Sequence, residues 1–216
     1  MADIQVSSPE YLKTALAKDT YGHNIKEKTS EIATEHDAIL AVDGDYYGVR
    51  NEGYVIREGV LYRETKSKDS ESLAIMVDGS FQIVNQDDVS AQDLLEQGAV
   101  NVISFGPGLV KNGQVCVDPD DEVAKSKESN PRAAIGIIDD LHYVFVVSDG
   151  RTEQSEGLSL YQLGTFMEKI GVTSGYNLDG GGSATLFFKG NVINMPTSDG
   201  REIKERRVSD IVYIGY

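Results

Sequence analysis

The sequence contains a single cysteine and three histidines, and it has no long apolar run. Because Cys116 is alone, an internal disulfide and a cysteine-based metal cluster are excluded. His23, His36 and His142 are scattered and form no His-Glu-x-x-His pattern, which excludes a zinc protease of that type. No apolar window reaches the roughly 18 residues of a membrane-spanning helix, and the N-terminus lacks the pattern of a signal peptide. We therefore expect no membrane span in this chain.

Basic residues are scarce: 20 Lys and Arg stand against 35 Asp and Glu, which gives a formal net charge of −15. Such a charge repels nucleic acid and anionic membranes at long range, so we expect no nucleic-acid partner. An anionic substrate is still compatible with it, because a few arginines inside a cleft can outweigh the mean field. The length of 216 residues and the 40% hydrophobic content predict one globular domain with a substantial core.

The order of elements predicts an α+β fold, a single domain with a large mixed, mainly antiparallel sheet and a few packed helices. Most strand patterns are joined by short turns, and the clearest hairpin pairs residues 133–138 with residues 142–148. The clearest helix covers residues 157–170, where apolar side chains form one stripe after a Ser159 cap.

The first part of the chain is predicted to be helical. Ser8-Pro9-Glu10 offers a cap and a proline for a first helix over residues 11–16, and a second helix starts near Thr29. We expect residues 1–37 to form an N-terminal helical segment that packs on the domain formed by residues 38–216.

The most informative stretch, residues 176–188, places Asp179 and three consecutive glycines between two apolar segments that are typical of strands. Glycines have no Cβ atom, so the chain can adopt φ > 0 and a ligand can approach its N–H groups closely. The alternative is a tight hairpin between two core strands. Such a turn needs two special residues, so a third glycine followed by Ser183 is more than the turn requires.

Aspartates and arginines recur where strand patterns begin or end. Strand ends that share one edge of a sheet would bring these groups together. Arginine suits a phosphate because its planar fork donates two hydrogen bonds and stays charged. Each arginine alone is better explained by a surface ion pair, but together with the glycines they indicate an anion pocket. The residues are Asp43, Arg132, Asp149, Arg151, Asp179 and Arg207.

Other templates fail. The triple glycine leads into a strand pattern, so the Rossmann and P-loop interpretations lack their helix. Ser183 could act as a nucleophile with His142, but a hydroxyl that donates to an anion is favoured. The acidic loop could hold Ca²⁺, yet its spacing lacks the Gly and Glu of an EF-hand, and a solvated loop is favoured. We expect no cofactor and no other metal. The acidic residues of that loop are Asp118, Asp120, Asp121 and Glu122.

Six short sequence blocks, in the order in which they follow one another along the chain, resemble the phosphodiester glycosidase family. The resemblance covers about residues 38–216. The block with the triple glycine is highly specific, whereas the others are weak alone. The first block more commonly reads Ile-Asn-Gly-Gly-Phe-Phe, so Asp43 and Asp45 add negative charge where Asn and Gly are usual. The blocks are residues 41–47, 104–110, 131–137, 148–151, 177–183 and 207–209.

The resemblance implies a hydrolase that cleaves a glycosyl phosphodiester, in an extracellular or cell-surface glycan such as a bacterial surface polysaccharide. Expulsion of a phosphate monoester calls for cations around the leaving group and a carboxylate at the sugar. The catalytic candidates are Asp179, Asp149 and Asp43. The candidates for binding phosphate are Arg132, Arg151, Arg207, Gly180, Gly181, Gly182 and Ser183.

Tyr46 and Tyr47 are candidates for stacking on a sugar ring, although a core position explains them equally well. The added charge of Asp43 and Asp45 motivates a second hypothesis, a non-catalytic carbohydrate- or phosphoglycan-binding module that retains the pocket. A purely structural assembly domain is the third hypothesis, and it predicts neither binding nor hydrolysis.

Overall fold

A computed structural model describes residues 1–119 and 129–216, in which eighteen strands form four antiparallel sheets. The first sheet consists, in spatial order, of β1 (Ala2–Gln5), β13 (His142–Ser148), β12 (Arg132–Asp139), β14 (Ser174–Asn177), β10 (Gly108–Lys111) and β11 (Gln114–Val115). The second consists of β16 (Asn191–Val192), β15 (Leu186–Phe188), β4 (Leu40–Asp43), β18 (Asp210–Ile214) and β2 (Leu12–Leu16).

The third sheet consists of β6 (Val60–Arg63), β5 (Val55–Arg57), β9 (Ala99–Ile103), β7 (Glu71–Met76) and β8 (Phe81–Asn85). A short ribbon pairs β17 (Arg207–Val208) with β3 (Glu27–Lys28). The described residues also form three α-helices, α1 (Thr29–Glu35), α2 (Ala91–Glu96) and α3 (Leu160–Lys169).

The main core lies between the three large sheets. Its buried side chains include Val42 from the second sheet, Ile103 from the third and Phe145 from the first. Each such side chain contributes about 1.5–3 kcal/mol when it leaves water. The packing against all three sheets holds the strand ends in fixed positions relative to one another.

Each helix covers the outer face of one sheet, α1 on the second, α2 on the third and α3 on the first. Helix α3 begins with a capping box: Ser159 Oγ accepts from the N–H of Gln162 at 3.1 Å, and Gln162 Oε1 accepts from the N–H of Ser159 at 2.9 Å. Leu163 and Met167 are buried while Phe166 is exposed, so the apolar stripe predicts both the helix and its inward face.

The α+β fold with mainly antiparallel strands is confirmed. The hairpin of β12 and β13 and the helix α3 lie where the sequence predicts them. The strands divide among several sheets that pack face to face, because long-range pairing assigns each strand to its neighbours.

The helix predicted over residues 11–16 is wrong. Ser8 does cap a turn, but that turn is one 3₁₀ turn at Pro9–Tyr11, and the chain then becomes β2. Strand β2 pairs with β18 from Leu12↔Ile214 to Leu16↔Asp210. A short apolar run fits both periods, and the pairing with a strand about 200 residues away decides between them. The helix starting at Thr29 is confirmed as α1.

Candidate functional site

The candidate site lies where the ends of two sheets meet. Strand β4 ends at Asp43, and the chain leaving β14 reaches Asp179 two residues later. The N–H of Asp179 donates to the carbonyl oxygen of Gly44 at 3.1 Å, which ties the two strand ends together. The first and second sheets therefore each bring one aspartate to the same place, as expected from the sequence.

Asp179 forms an ion pair with Arg206. Nη2 of Arg206 lies 3.2 Å from Oδ1 and 3.0 Å from Oδ2 of Asp179, and it also donates to the carbonyl oxygen of Gly180 at 3.1 Å. Nε of Arg206 donates to Ser183 Oγ at 2.8 Å. The Asp179 side chain is 8% exposed and that of Arg206 is 43% exposed, so the guanidinium covers a nearly buried carboxylate.

Asp43 is fully buried beside this pair. Its Oδ1 accepts from the N–H of Thr185 at 3.0 Å, and no described residue makes a hydrogen bond to its Oδ2. Burial raises the pKa of the Asp43 carboxyl well above its usual value, and the charge of Asp179 raises it further. Asp43 thus stays protonated at pH values where an exposed aspartate is ionised. A pair of neighbouring carboxyl groups is the arrangement that supplies an acid and a base in many hydrolytic sites.

We expect an Asp43→Asn variant to show a flatter dependence of stability on pH. In the native protein the raised pKa of Asp43 binds a proton that the unfolded chain releases near pH 4, so the free energy of unfolding falls as pH rises through the native pKa. Asparagine keeps the acceptor for Thr185 and has no proton to lose. Urea unfolding from pH 4 to pH 8 should show that the free energy of unfolding of the variant increases relative to that of the wild type as pH rises. Parallel curves would contradict the raised pKa.

The glycine turn is built for close packing. Gly181–Ser183 form a 3₁₀ turn, and Gly181 has φ +61°. A Cβ on Gly181 would lie 3.2 Å from Nη1 of Arg151, and one on Gly182 would lie 2.1 Å from Ser198 Oγ. The glycines therefore let Arg151 and Ser198 approach the backbone.

Three N–H groups of this turn have acceptors inside the protein. Gly180 donates to Asp179 Oδ1 at 2.8 Å, Gly181 to the carbonyl oxygen of Pro131 at 2.8 Å, and Ser183 to that of Gly180 at 3.2 Å. These bonds hold the turn in shape, and that of Gly180 also holds the Asp179 carboxylate. Anion binding by the backbone of the turn stays a prediction.

Arg151 lies against the turn as a cation. Its guanidinium donates to Oδ1 of Asn130 at 2.8 and 3.2 Å and to the carbonyl oxygen of Ser198 at 2.7 Å. These acceptors are neutral, and within the described part of the chain no carboxylate forms an ion pair with Arg151. Its positive charge is therefore available to an anion beside Gly181.

Arg132 and Asp149 border the site through other contacts. The residue before Arg132 supplies the carbonyl oxygen that accepts from Gly181, while Nε of Arg132 donates to the carbonyl oxygen of Leu158 at 2.9 Å. Oδ1 of Asp149 accepts from Asn194 Nδ2 at 3.0 Å and from the N–H of Met195 at 2.8 Å. Asp149 thus fastens the loop that follows β16.

The arginine that contacts Asp179 is Arg206, whereas the sequence analysis named Arg207. Arg207 lies in β17, opposite Lys28, and lines a separate cavity. Alternate residues of an extended chain share a face, and Val208 is 4% exposed. Arg206 lies two residues before the buried Val208, so this alternation predicts that Arg206 lies on the same face of the chain as Val208.

The two tyrosines have different positions. Tyr47 is 1% exposed, its ring stacks on Tyr21 with 5.2 Å between centroids, and its hydroxyl donates to the carbonyl oxygen of Ser209 at 3.2 Å. Tyr47 is therefore a core residue and not a sugar contact. Tyr46 is half-buried, and Cζ of Arg206 lies 6.0 Å from its ring centroid, so it remains a candidate beside the site.

Asp45 belongs to a different buried cluster. Its Oδ2 accepts from the N–H of Ser104 at 2.9 Å and lies 3.5 Å from Nη2 of Arg57. Arg57 also pairs with Asp210 at 2.6 Å, and burial raises the pKa of Asp210 to about 6. Asp45 therefore belongs to a buried cluster in which one guanidinium contacts two carboxyl groups, and it is not the isolated added charge that the sequence predicts.

The described residues were compared with the requirements of a metal site and of a membrane-spanning helix. No group of three or more His, Cys, Asp or Glu side chains is arranged to hold a metal within residues 1–119 and 129–216. The Ca²⁺ interpretation of the acidic loop depends on Asp120, Asp121 and Glu122, which lie outside the described residues. Across those same two ranges, no helix has the length and apolar character needed to span a bilayer.

Comparisons with known proteins show which family and which solved structures this chain is similar to. The phosphodiester glycosidase family model matches residues 36–215. The SPbeta prophage-derived uncharacterized protein YomE of Bacillus subtilis (strain 168) is 29% identical over 201 residues, which cover 91% of this chain and 31% of that protein. The N-acetylglucosamine-1-phosphodiester alpha-N-acetylglucosaminidase of Mus musculus is 26% identical over 179 residues, which cover 75% of this chain and 34% of that enzyme.

The chain thus spans about a third of the length of these two relatives. Among solved structures, the catalytic domain of the zebrafish N-acetylglucosamine-1-phosphodiester alpha-N-acetylglucosaminidase, auto-inhibited by its pro-peptide, superposes with a TM-score of 0.78. The two share 21% sequence identity over 96% of this chain and 74% of that one, which establishes a common fold.

Proposed function

We propose that this chain, which belongs to the phosphodiester glycosidase family, hydrolyses the bond between a sugar and the phosphate of a sugar 1-phosphodiester. The observation that carries the proposal is the pair of neighbouring carboxyl groups, Asp43 and Asp179, covered by the guanidinium of Arg206. The mouse relative is named for the same class of bond. The sugar and the group beyond the phosphate are left open.

In this reaction, water adds to the anomeric carbon, and the bond from that carbon to the phosphate oxygen breaks. The phosphate monoester leaves with the electron pair, and the water gives up a proton. A phosphate is already a good leaving group, so its negative charge needs neutralising more than it needs a proton. The sugar carbon develops positive charge in the transition state, which a carboxylate stabilises.

Arg206 is placed to receive the departing phosphate. No described residue accepts a hydrogen bond from its Nη1, and its side chain is 43% exposed. Arg151 adds a second charge beside Gly181. The oxygen of the buried Ser183 hydroxyl accepts from Arg206 and so helps to hold the guanidinium in place. Substrate binding would thus draw Arg206 toward phosphate and expose Asp179 to the sugar.

Asp179 is the carboxylate that we assign to the anomeric carbon or to the attacking water. Asp43 lies behind it, with its proton retained by burial. A protonated neighbour adds no negative charge beside the ion pair of Asp179 and Arg206. Asp149 acts as a positioning residue in this proposal, because its carboxylate holds Asn194 and Met195. We further propose that the substrate is an extracellular or cell-surface glycan.

The proposal predicts release of free sugar from a panel of sugar 1-phosphodiesters. Each compound is incubated with the protein, and the reducing sugar and phosphate monoester are quantified together with calorimetric binding. The matching methyl glycosides, which lack phosphate, should remain intact. Binding without release would favour the non-catalytic glycan-binding module, and neither binding nor release would favour an assembly domain.

A further inference from the structure

A second group of cations lies beside the candidate site. A cavity of about 430 Å³, here called the basic cavity, is lined by Lys18, Thr20, Asn24, Ile25, Lys26 and Arg207. Three of these six residues carry a positive charge and none is acidic. The whole chain has a net charge of −15, so this concentration of cations departs from the mean composition.

The charges of the basic cavity are not neutralised by ion pairs. In the described part of the chain, no carboxylate lies within ion-pair distance of the side chains of Lys18, Lys26 or Arg207. The nearest acids have other partners. Oε2 of Glu27 accepts from the backbone N–H of Lys18 at 2.6 Å. Glu31 forms an ion pair with Lys28 at 3.3 Å, and the charge of Arg207 contributes to the lowered pKa of Glu31.

Tyr46 lies near one cation of the basic cavity and one cation of the candidate site. Nζ of Lys26 lies 5.8 Å from the centroid of the Tyr46 ring, and Cζ of Arg206 lies 6.0 Å from the same centroid. Arg206 and Arg207 are also neighbours in the chain. A ligand whose phosphate reaches Arg206 can therefore extend past Tyr46 into the basic cavity.

We propose that the basic cavity binds a second phosphate group of the substrate, carried by the part of the molecule beyond the scissile phosphodiester. This inference rests on the proposed function, and it narrows the substrate to a glycan that carries more than one phosphate. Lysine and arginine side chains form charge-assisted hydrogen bonds with phosphate oxygens. The acidic remainder of the surface weakens nonspecific anion binding, which makes a local cationic cavity selective.

Two substrates with the same sugar test the inference. One is a sugar 1-phosphodiester with an ethyl group, and the other carries a 2-phosphoethyl group in its place. We expect the wild type to prefer the second by about tenfold in kcat/KM, mainly through KM, with a preference that shrinks as salt increases. The double variant Lys18→Gln/Lys26→Gln should lose most of this preference.

The matched control is Lys68→Gln/Lys169→Gln, which changes the net charge equally at positions outside the basic cavity. It should keep the preference. The inference is overturned if the wild type shows no preference for the 2-phosphoethyl compound, or if the control loses that preference as fully as the cavity variant does.

If neither compound is hydrolysed, the proposed function fails. Calorimetry with inorganic tripolyphosphate then tests separately whether the basic cavity binds an anion. An anion site there predicts about tenfold weaker binding in the cavity variant than in the control. Equal affinities of the cavity variant and the control for tripolyphosphate would contradict an anion site in the basic cavity. Tripolyphosphate binding at the cavity combined with hydrolysis of both substrates at equal rates would also overturn its assignment to the substrate.

Discussion

An Asp179→Asn variant is expected to lose at least about three orders of magnitude in kcat while it keeps its fold. Asparagine retains an oxygen that can accept from the N–H of Gly180, so the turn can keep its geometry. It has no negative charge for the anomeric carbon and takes no proton from water. The loss should be seen in kcat with each substrate that the wild type cleaves.

The control for this variant is Asp140→Asn, which removes the same charge. Asp140 follows the last residue of β12, whereas the candidate site adjoins the first residue of that strand. The control should keep the wild-type rate. Thermal unfolding and circular dichroism would establish that both variants are folded. A near-wild-type rate for Asp179→Asn would end the assignment of this carboxylate.

An Arg206→Lys variant is expected to lose about two orders of magnitude in kcat/KM. Lysine keeps the charge but lacks the planar fork that reaches Ser183, Asp179 and the carbonyl oxygen of Gly180 at once. The three N–H donors of an ammonium group all lie on one nitrogen atom, so they cannot reach the separate positions that Nε, Nη1 and Nη2 of the guanidinium reach. Steady-state kinetics on the best substrate of the panel measures the effect.

The neighbouring substitution Arg207→Lys is the comparator. Arg207 lies in the basic cavity and not on Asp179, so the loss in this variant should be at least about tenfold smaller with a substrate that carries one phosphate. Equal losses of kcat/KM in the two variants would contradict the different roles proposed for these consecutive arginines.

Local patterns identified the elements whose structure depends on nearby residues. The stripe of helix α3, its Ser159 cap and the hairpin of β12 and β13 follow from residues within one turn or one hairpin. The block around Asp179 was recognisable for the same reason, since three consecutive glycines next to a carboxylate are rare in ordinary turns. Motif order also identified the family, which the match over residues 36–215 confirms.

Other features depended on partners far along the chain. The segment of β2 is a strand because β18 pairs with it, and Tyr47 is buried because Tyr21 and Ser209 pack around it. Asp45 contacts Arg57, which lies in β5 of another sheet. Nothing in the residues adjacent to Asp45 or Tyr47 specifies these contacts.

The sequence by itself determined the fold class and the family, because each is encoded in local period or in short motifs. Only the tertiary structure decided that Arg206 covers Asp179, that burial raises the pKa of Asp43, and that the N–H of Gly181 donates to the carbonyl oxygen of Pro131. Protonation depends on burial and on neighbouring charges, and both are set by sheets that meet only when the chain has folded.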